Sequence, residues 1–345
     1  MTTAYPAFKK GCLFLTLITL LFLVGIVVLP GLGPTYAEEA PDQTSLADTA
    51  PAINHNTWTS GAAMPTARYA VATGVIGTNV YVVGGASNNS VLNVNEIYNT
   101  KTNTWTTGAS MPTARLIPAA AVVNNILYVI GGCDAGCATG GGAMTVNEAY
   151  DPASDTWSTK APLPTPTDSF YGVAVKGIIY VIGGYVPGSG RVATVFAYDP
   201  VADAWSTKAP MKVGKSTPAP GLLGTTVMAA GGLGNGGVVT DNESYNAVAN
   251  KWKTLAPVPT ARDAGCAGGM KGQFYFAGGE NPAPLSVLEA YRKKTNSWTT
   301  LASMPQAVIG PGSAVVKNLL YCFGGSNNGG VFQGNVYDYV QIYQP

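Results

Sequence analysis

The chain has 345 residues, 46% hydrophobic and only 11% charged, with 43 glycines and 24 prolines; glycine is about doubled, and charge more than halved, against an ordinary soluble domain. That excludes the low-hydrophobicity, high-charge composition of disordered chains, and without a strict every-third glycine it also excludes collagen. A formal net charge of +1, no like-charge run beyond Arg292-Lys293-Lys294 and a single histidine, His55, argue against nucleic-acid partners and remove most histidine-based metal sites and triads.

Lys9 and Lys10 precede an uncharged apolar run over 11–29 that Pro30 and Gly31 end. Its length approaches the hydrocarbon thickness of a bilayer. Thr35-Tyr36-Ala37 before Glu38-Glu39 also reads as a cleavage site. Residues 1–37 are therefore expected to hold one hydrophobic helix, as a signal peptide or an N-terminal membrane anchor, and either places the rest of the chain outside the cytoplasm. Residues 38–52, rich in Pro, Ala, Thr and Asp, read as a flexible linker. The spacing of Cys133 and Cys137 in a glycine-rich loop points to a local disulfide in an exported compartment. Cys266 and Cys322 lie in apolar, strand-like runs and read as small buried hydrophobes.

From residue 53 onward the chain repeats. Glycine pairs begin at Gly84, Gly131, Gly183, Gly231, Gly278 and Gly324, spaced 47, 52, 48, 47 and 46 residues apart. Trp58, Trp105, Trp157, Trp205, Trp252 and Trp298 show the same spacings, and a tyrosine stands seven residues before every tryptophan except the first. β-rich runs such as NVYVVGG and ILYVIGG end in the glycine pairs. One unit therefore predicts four short strands: two leading to Gly-Gly, a tyrosine strand and a tryptophan strand.

Gly-Gly, the tyrosine–tryptophan pair and the MPTAR segments at 64–68 and 111–115 resemble kelch repeats across about residues 54–345. The resemblance implies an all-β, six-bladed propeller over 53–345. The first tryptophan strand precedes any glycine pair and the last unit stops at Tyr343-Gln344-Pro345. The N-terminal strand is thus expected to complete the last blade, which removes two sheet edges.

Ten residues after each tryptophan stand Arg68, Arg115, Thr167, Lys215, Arg262 and Val308. Two residues before the blade tyrosines stand Glu96, Glu148, Phe196, Glu243 and Glu289, with Gln341 in the last unit. Cation and glutamate occur in the same four units. We read Arg68–Glu96, Arg115–Glu148, Lys215–Glu243 and Arg262–Glu289 as ion pairs within blades, crossing a strand end left bare by Gly-Gly. The alternative is a ring of cations serving an anionic ligand at the channel mouth. If the pairs are scaffold, ligand chemistry is expected where the pattern breaks. Unit 3 offers Asp168, Phe170, Tyr171, Tyr185 and Arg191, and the long loop of unit 2 adds Asp134. Aromatic faces beside Asp and Arg suit carbohydrate or peptide recognition.

No catalytic motif accompanies these groups. The copper site of galactose oxidase-like kelch enzymes needs two histidines, and no nucleophile elbow or phosphate loop is present. The expectation is a non-catalytic, monomeric module that binds protein or carbohydrate on one face, without cofactor or metal, touching membrane only through its N-terminal segment. The alternative is a sialic-acid mutarotase-like enzyme using a channel-mouth Glu/Arg pair.

Overall fold

A computed structural model describes residues 55–88, 90–328, 332 and 334–345. The apolar run 11–29, the cleavage site at Ala37 and the linker 38–52 lie outside the described residues. Among the described residues no helix is long and apolar enough to cross a membrane. The unit Ile53–Pro345 is all-β, and its one helical element among those residues is a 3-10 turn at Ala135–Thr139.

Six four-stranded antiparallel sheets follow one another. Sheet 1 comprises Ala72–Ile76, Asn79–Val83, Asn95–Asn99 and Thr104–Gly108. Sheet 2 comprises Ala119–Val123, Ile126–Ile130, Asn147–Asp151 and Thr156–Thr159, and sheet 3 Tyr171–Val175, Ile178–Ile182, Val195–Asp199 and Ala204–Lys208. Sheet 4 comprises Ala219–Leu223, Thr226–Ala230, Asn242–Asn246 and Lys251–Thr254, and sheet 5 Cys266–Met270, Gln273–Ala277, Leu288–Arg292 and Ser297–Leu301. Sheet 6 takes Gly312–Val316, Leu319–Phe323 and Val340–Gln344, then Thr57–Ser60 from the other end of the chain, with Trp58 opposite Tyr343. Asn124-Asn125, Lys176-Gly177, Lys271-Gly272 and Lys317-Asn318 join first to second strands with positive φ at both positions, the turn whose twist suits a hairpin.

The second strands are buried from their second residue onward in every sheet. Both their faces are covered, which is why they read as continuous apolar runs. In sheet 1, Val80 and Val82 pack against Tyr321 and Phe323 of sheet 6, while Tyr81 and Val83 pack against Leu127 and Val129 of sheet 2. The first strands meet in order: sheets 1 with 2, 2 with 3, 3 with 4, 4 with 5, 5 with 6 and 6 with 1.

The aromatic repeat works through hydrogen bonds as well as packing. In sheet 2 the Tyr150 hydroxyl donates to Asp155 Oδ1 (2.6 Å), which also accepts the Ala109 N–H (2.7 Å), while Trp157 Nε1 donates to the Ala109 carbonyl (2.8 Å). Each sheet is thereby latched to the strand end of its predecessor. The same latch ties sheet 1 to Ala62 through Asn103 and Trp105, and sheet 6 to Ala302 through Asn56 and Trp58. The acceptor is always the Asx residue two before the tryptophan.

Gly84 and Gly85 adopt φ +63° and +93°, and a Cβ on Gly84 would stand 2.6 Å from the Arg115 carbonyl oxygen of the next sheet. The Gly85 N–H donates to that same carbonyl (2.9 Å). The equivalent bond recurs in all six units, ending with Gly325 N–H to the Arg68 carbonyl (3.1 Å). The glycine pairs therefore serve the joint between sheets, rather than clearing a path for a guanidinium within one.

Cys133 and Cys137 are bridged. So are Cys266 and Cys322, with Cα atoms 5.8 Å apart, which corrects their reading as free apolar residues. They are as buried as that reading requires. They stand at non-equivalent positions in neighbouring sheets, so no repeat spacing reveals the bridge.

Candidate functional site

Arg68, Arg115, Lys215 and Arg262 are fully buried, each beside the glutamate of its own sheet. Arg115 Nη1 donates to Glu148 Oε2 (2.6 Å) and Nη2 to the Val129 carbonyl (2.9 Å), while Thr113 Oγ1 donates to Glu148 Oε1 (2.8 Å). Arg262 repeats this with Glu289, Phe276 and Thr260, and Arg68 with Glu96, Val82 and Thr66. Burial pulls the pKa of each guanidinium below its ordinary value, against the opposing pull of the glutamate. Sheet 6 substitutes an amide pair: Gln341 Oε1 accepts the Gln306 N–H (2.9 Å) and Nε2 donates to the Gln306 carbonyl (3.2 Å). None of the eight ion-pair residues lines the central cavity, so a diffusing ligand does not reach them.

That cavity has a volume of about 910 Å³ and is lined by the first strands of all six sheets. At its mouth the residue after each cation position pairs with the residue after each glycine pair: Tyr69–Ala86, Leu116–Cys133, Asp168–Tyr185, Ser216–Leu233, Asp263–Glu280 and Ile309–Ser326. The following residue is left-handed in every sheet (Ala70, Ile117, Ser169, Thr217, Ala264 and Gly310). Backbone bonds run from one such residue to the next: 117 to 70, 70 to 310, 310 to 264, 264 to 217 and 217 to 169. The sixth link, Ser169 N–H to Ile117 carbonyl, is missing among the described residues.

Twelve equivalent mouth positions thus carry three carboxyl groups, all in sheets 3 and 5. Asp168 is 5% exposed, and one of its oxygens accepts Ser169 Oγ–H (2.7 Å). Burial raises its pKa, with Ser169 and Arg191 opposing. Asp263 is 4% exposed, its Oδ2 accepts Thr217 Oγ1–H (2.8 Å), and burial raises its pKa too. Glu280, half-buried, is pushed up to about 7, by burial first and then by the negative Asp263. Arg191 lies on the short Gly190–Arg191 strand paired with Tyr185–Val186. Its guanidinium stands 6.0 Å from the Tyr185 ring centroid, and it joins none of the ion pairs found among the described residues.

The structure therefore brings Asp168, Tyr185 and Arg191 together at the mouth. Phe170 and Tyr171 reach the cavity wall but belong to the core. Phe170 packs between sheets 2 and 3, and the Tyr171 hydroxyl donates to the Met228 carbonyl (2.6 Å). Asp134 stands apart, capping the 3-10 turn through the Gly136 N–H (2.7 Å). Cys133 and Cys137 sulfurs lie within 4.8 Å of an Asp168 oxygen, but the bridge leaves no thiolate there to hold a metal. Sequence reasoning missed Asp263 and Glu280. The signal was available: they are the unit-5 counterparts of Asp168 and Tyr185.

The Kelch motif family model matches residues 67–112, 118–164, 172–212 and 262–305. The solved structure of YjhT superposes with a TM-score of 0.70 at 18% identity, covering 81% of this chain and 96% of that one, a likeness of fold. Among curated proteins, none matches the chain.

Proposed function

The chain belongs to the kelch-repeat family of β-propellers, and from that premise we propose a six-bladed propeller, closed by Thr57–Ser60 in the last blade, that works as a non-catalytic binding module. It is exported or tethered by residues 11–29 and takes a carbohydrate or protein ligand at the mouth of the central cavity. The observation that carries this reading is the broken symmetry of the mouth. Asp168 and Arg191 of blade 3 and Asp263 and Glu280 of blade 5 are charged groups that the other four blades do not carry at the equivalent positions, and they converge on an opening of ligand size. Binding is tested with the full chain against glycan arrays and by pull-down, comparing native protein with Asp168→Asn and Asp263→Asn. Loss of a captured ligand in these variants supports the reading, and unchanged capture refutes it. Closure is tested by replacing Trp58 with Ala, which should lower the melting temperature of the whole propeller in a single transition.

A mutarotase-like enzyme is the second reading. Glu96, Glu148, Glu243 and Glu289 are spent on ion pairs away from the cavity. Such an enzyme would have to use Glu280, whose displacement to about 7 suits general acid–base work. Exchange between sugar anomers, followed by NMR with native and Glu280→Gln protein, tests it.

A further inference from the structure

The charge of the mouth says more than its shape. Its carboxyl groups outnumber its cation: Asp168, Asp263 and Glu280 line the cavity, and Arg191 is the one cationic side chain among the described lining residues. Asp168 and Asp263 are more than nine-tenths buried yet face the cavity. Asp168 keeps one carboxylate oxygen with no hydrogen-bond partner among the described residues, and the Arg191 Nε is likewise buried without one. An incoming anion would meet Arg191 only in the company of these carboxyl groups. The three do not bring their oxygens within 4.8 Å of one another, so a bare metal ion could not touch them all. Hydroxyl partners surround the gap: Ser169, Thr217, and the Ser169 N–H and Ile117 carbonyl whose mutual bond is missing. The Tyr185 ring offers an aromatic face beside Arg191.

We propose that the ligand group entering this mouth is an organic cation, the protonated amine of an amino sugar, seated between Asp168 on one side and Asp263 with Glu280 on the other. This rests on the reading that the mouth is the binding site and deepens it to a ligand class. The amine supplies the positive charge that desolvated carboxylates lack, the sugar hydroxyls meet Ser169, Thr217 and the open backbone pair, and the ring lies against Tyr185. Asp168, Asp263, Arg191, Tyr69, Tyr171 and Tyr185 are the titratable and charged groups that line the cavity together with Glu280. Ionisation of Glu280 adds a negative charge where the amine binds.

The test is calorimetric titration of the full chain with glucosamine, glucose and glucuronate, one ring carrying positive, neutral or negative charge. Glucosamine is expected to bind at least about tenfold more tightly than the other two. Asp263→Asn and Asp168→Asn should each weaken it by about tenfold, and Arg191→Gln should tighten it by a few-fold, because the guanidinium competes for the same carboxylates. Affinity should rise between about pH 5.5 and about pH 7, where the amine stays charged and Glu280 ionises. Glu280→Gln, a half-buried position whose exchange spares the fold, should flatten that rise. Equal or tighter binding of glucose or glucuronate overturns the cation proposal and leaves the mouth as the site. Binding of a lysine-rich peptide in place of glucosamine, lost in Asp168→Asn, overturns the ligand class alone. Failure of glucosamine to bind, with glycan or protein capture unaffected by Asp168→Asn and Asp263→Asn, overturns the site reading as well.

Discussion

Replacing Arg115 with lysine keeps the charge and removes the fork, and the protein already contains the result of that exchange in sheet 4. Lys215 Nζ stands 3.6 Å from Glu243 Oε2, an ion contact too long for a hydrogen bond, while bonding the Ala229 and Asp241 carbonyls at 3.1 Å each. Glu243 Oε2 is accordingly buried with no hydrogen-bond partner. In sheet 2 the corresponding oxygen receives Arg115 Nη1 at 2.6 Å. Arg115→Lys thus gives up one charge-assisted bond in a buried setting, a cost of about 2 kcal/mol, or a fall in melting temperature of about 3 °C for a domain of this size. Lys215→Arg should do the reverse by about 1 kcal/mol, less because Val213 offers no hydroxyl where Thr113 does, and because the larger head group must be desolvated. Urea and thermal unfolding of both variants measure the two shifts. Shifts within about 0.5 kcal/mol of zero in both variants, or of the same sign, would refute the claim that the fork geometry stabilises the blade. As a further check, Arg115→Leu with Glu148→Leu should cost less than Arg115→Leu alone, since the single change strands a buried carboxylate.

Three further outcomes follow from named contacts. Glu280 has a folded pKa of about 7 against an ordinary 4.5, so the fold favours its protonated form. Its contribution is full below about pH 4.5 and is lost as pH rises through about 7. After discounting for solvent screening of a half-buried group, Glu280→Gln should stabilise the protein by about 1 kcal/mol near pH 8 and leave it unchanged near pH 4, read from urea midpoints. Removing the Cys266–Cys322 bridge, 56 residues apart, should cost about 4 kcal/mol, against about 2 for Cys133–Cys137, because the longer loop restricts the unfolded chain more; melting of Cys→Ser pairs measures this. Gly77 and Gly84 share φ +63°, but a Cβ meets nothing at Gly77 and a carbonyl oxygen at Gly84. Gly77→Ala should cost about 1 kcal/mol and Gly84→Ala at least about 3, and equal losses would show that backbone strain alone sets the cost.

Much of the architecture is legible because each blade states it again. The second strands announce burial on both faces through runs such as NVYVV, and the cation and glutamate occur in the four units where the structure holds ion pairs. The sense of Gly-Gly is less legible. Its positive φ could be inferred, but the carbonyl it admits belongs to the next blade. The Asx residue two before each tryptophan repeats as faithfully as the tyrosine, yet only the structure shows it bonding both that tyrosine and the preceding blade. Cys266 and Cys322 repeat in no other unit, so their bridge has no periodic trace. At the mouth, Asp168 drew notice through the lost ion pair of unit 3. Asp263 and Glu280 sit beside an intact pair, so the charge pattern does not mark them, and only their repeat position, shared with Asp168 and Tyr185, does.

Under the proposed function, ligand recognition resides at the cavity mouth while the buried cations serve the scaffold. Capture from a glycan and protein panel by native chain, by an Asp168→Asn, Asp263→Asn double variant and by Lys215→Arg separates the two roles. The mouth variant should lose capture with its melting temperature within about 3 °C of native, and Lys215→Arg should capture as the native chain does. Full capture by the mouth variant, or loss of capture in Lys215→Arg, would contradict that division of roles.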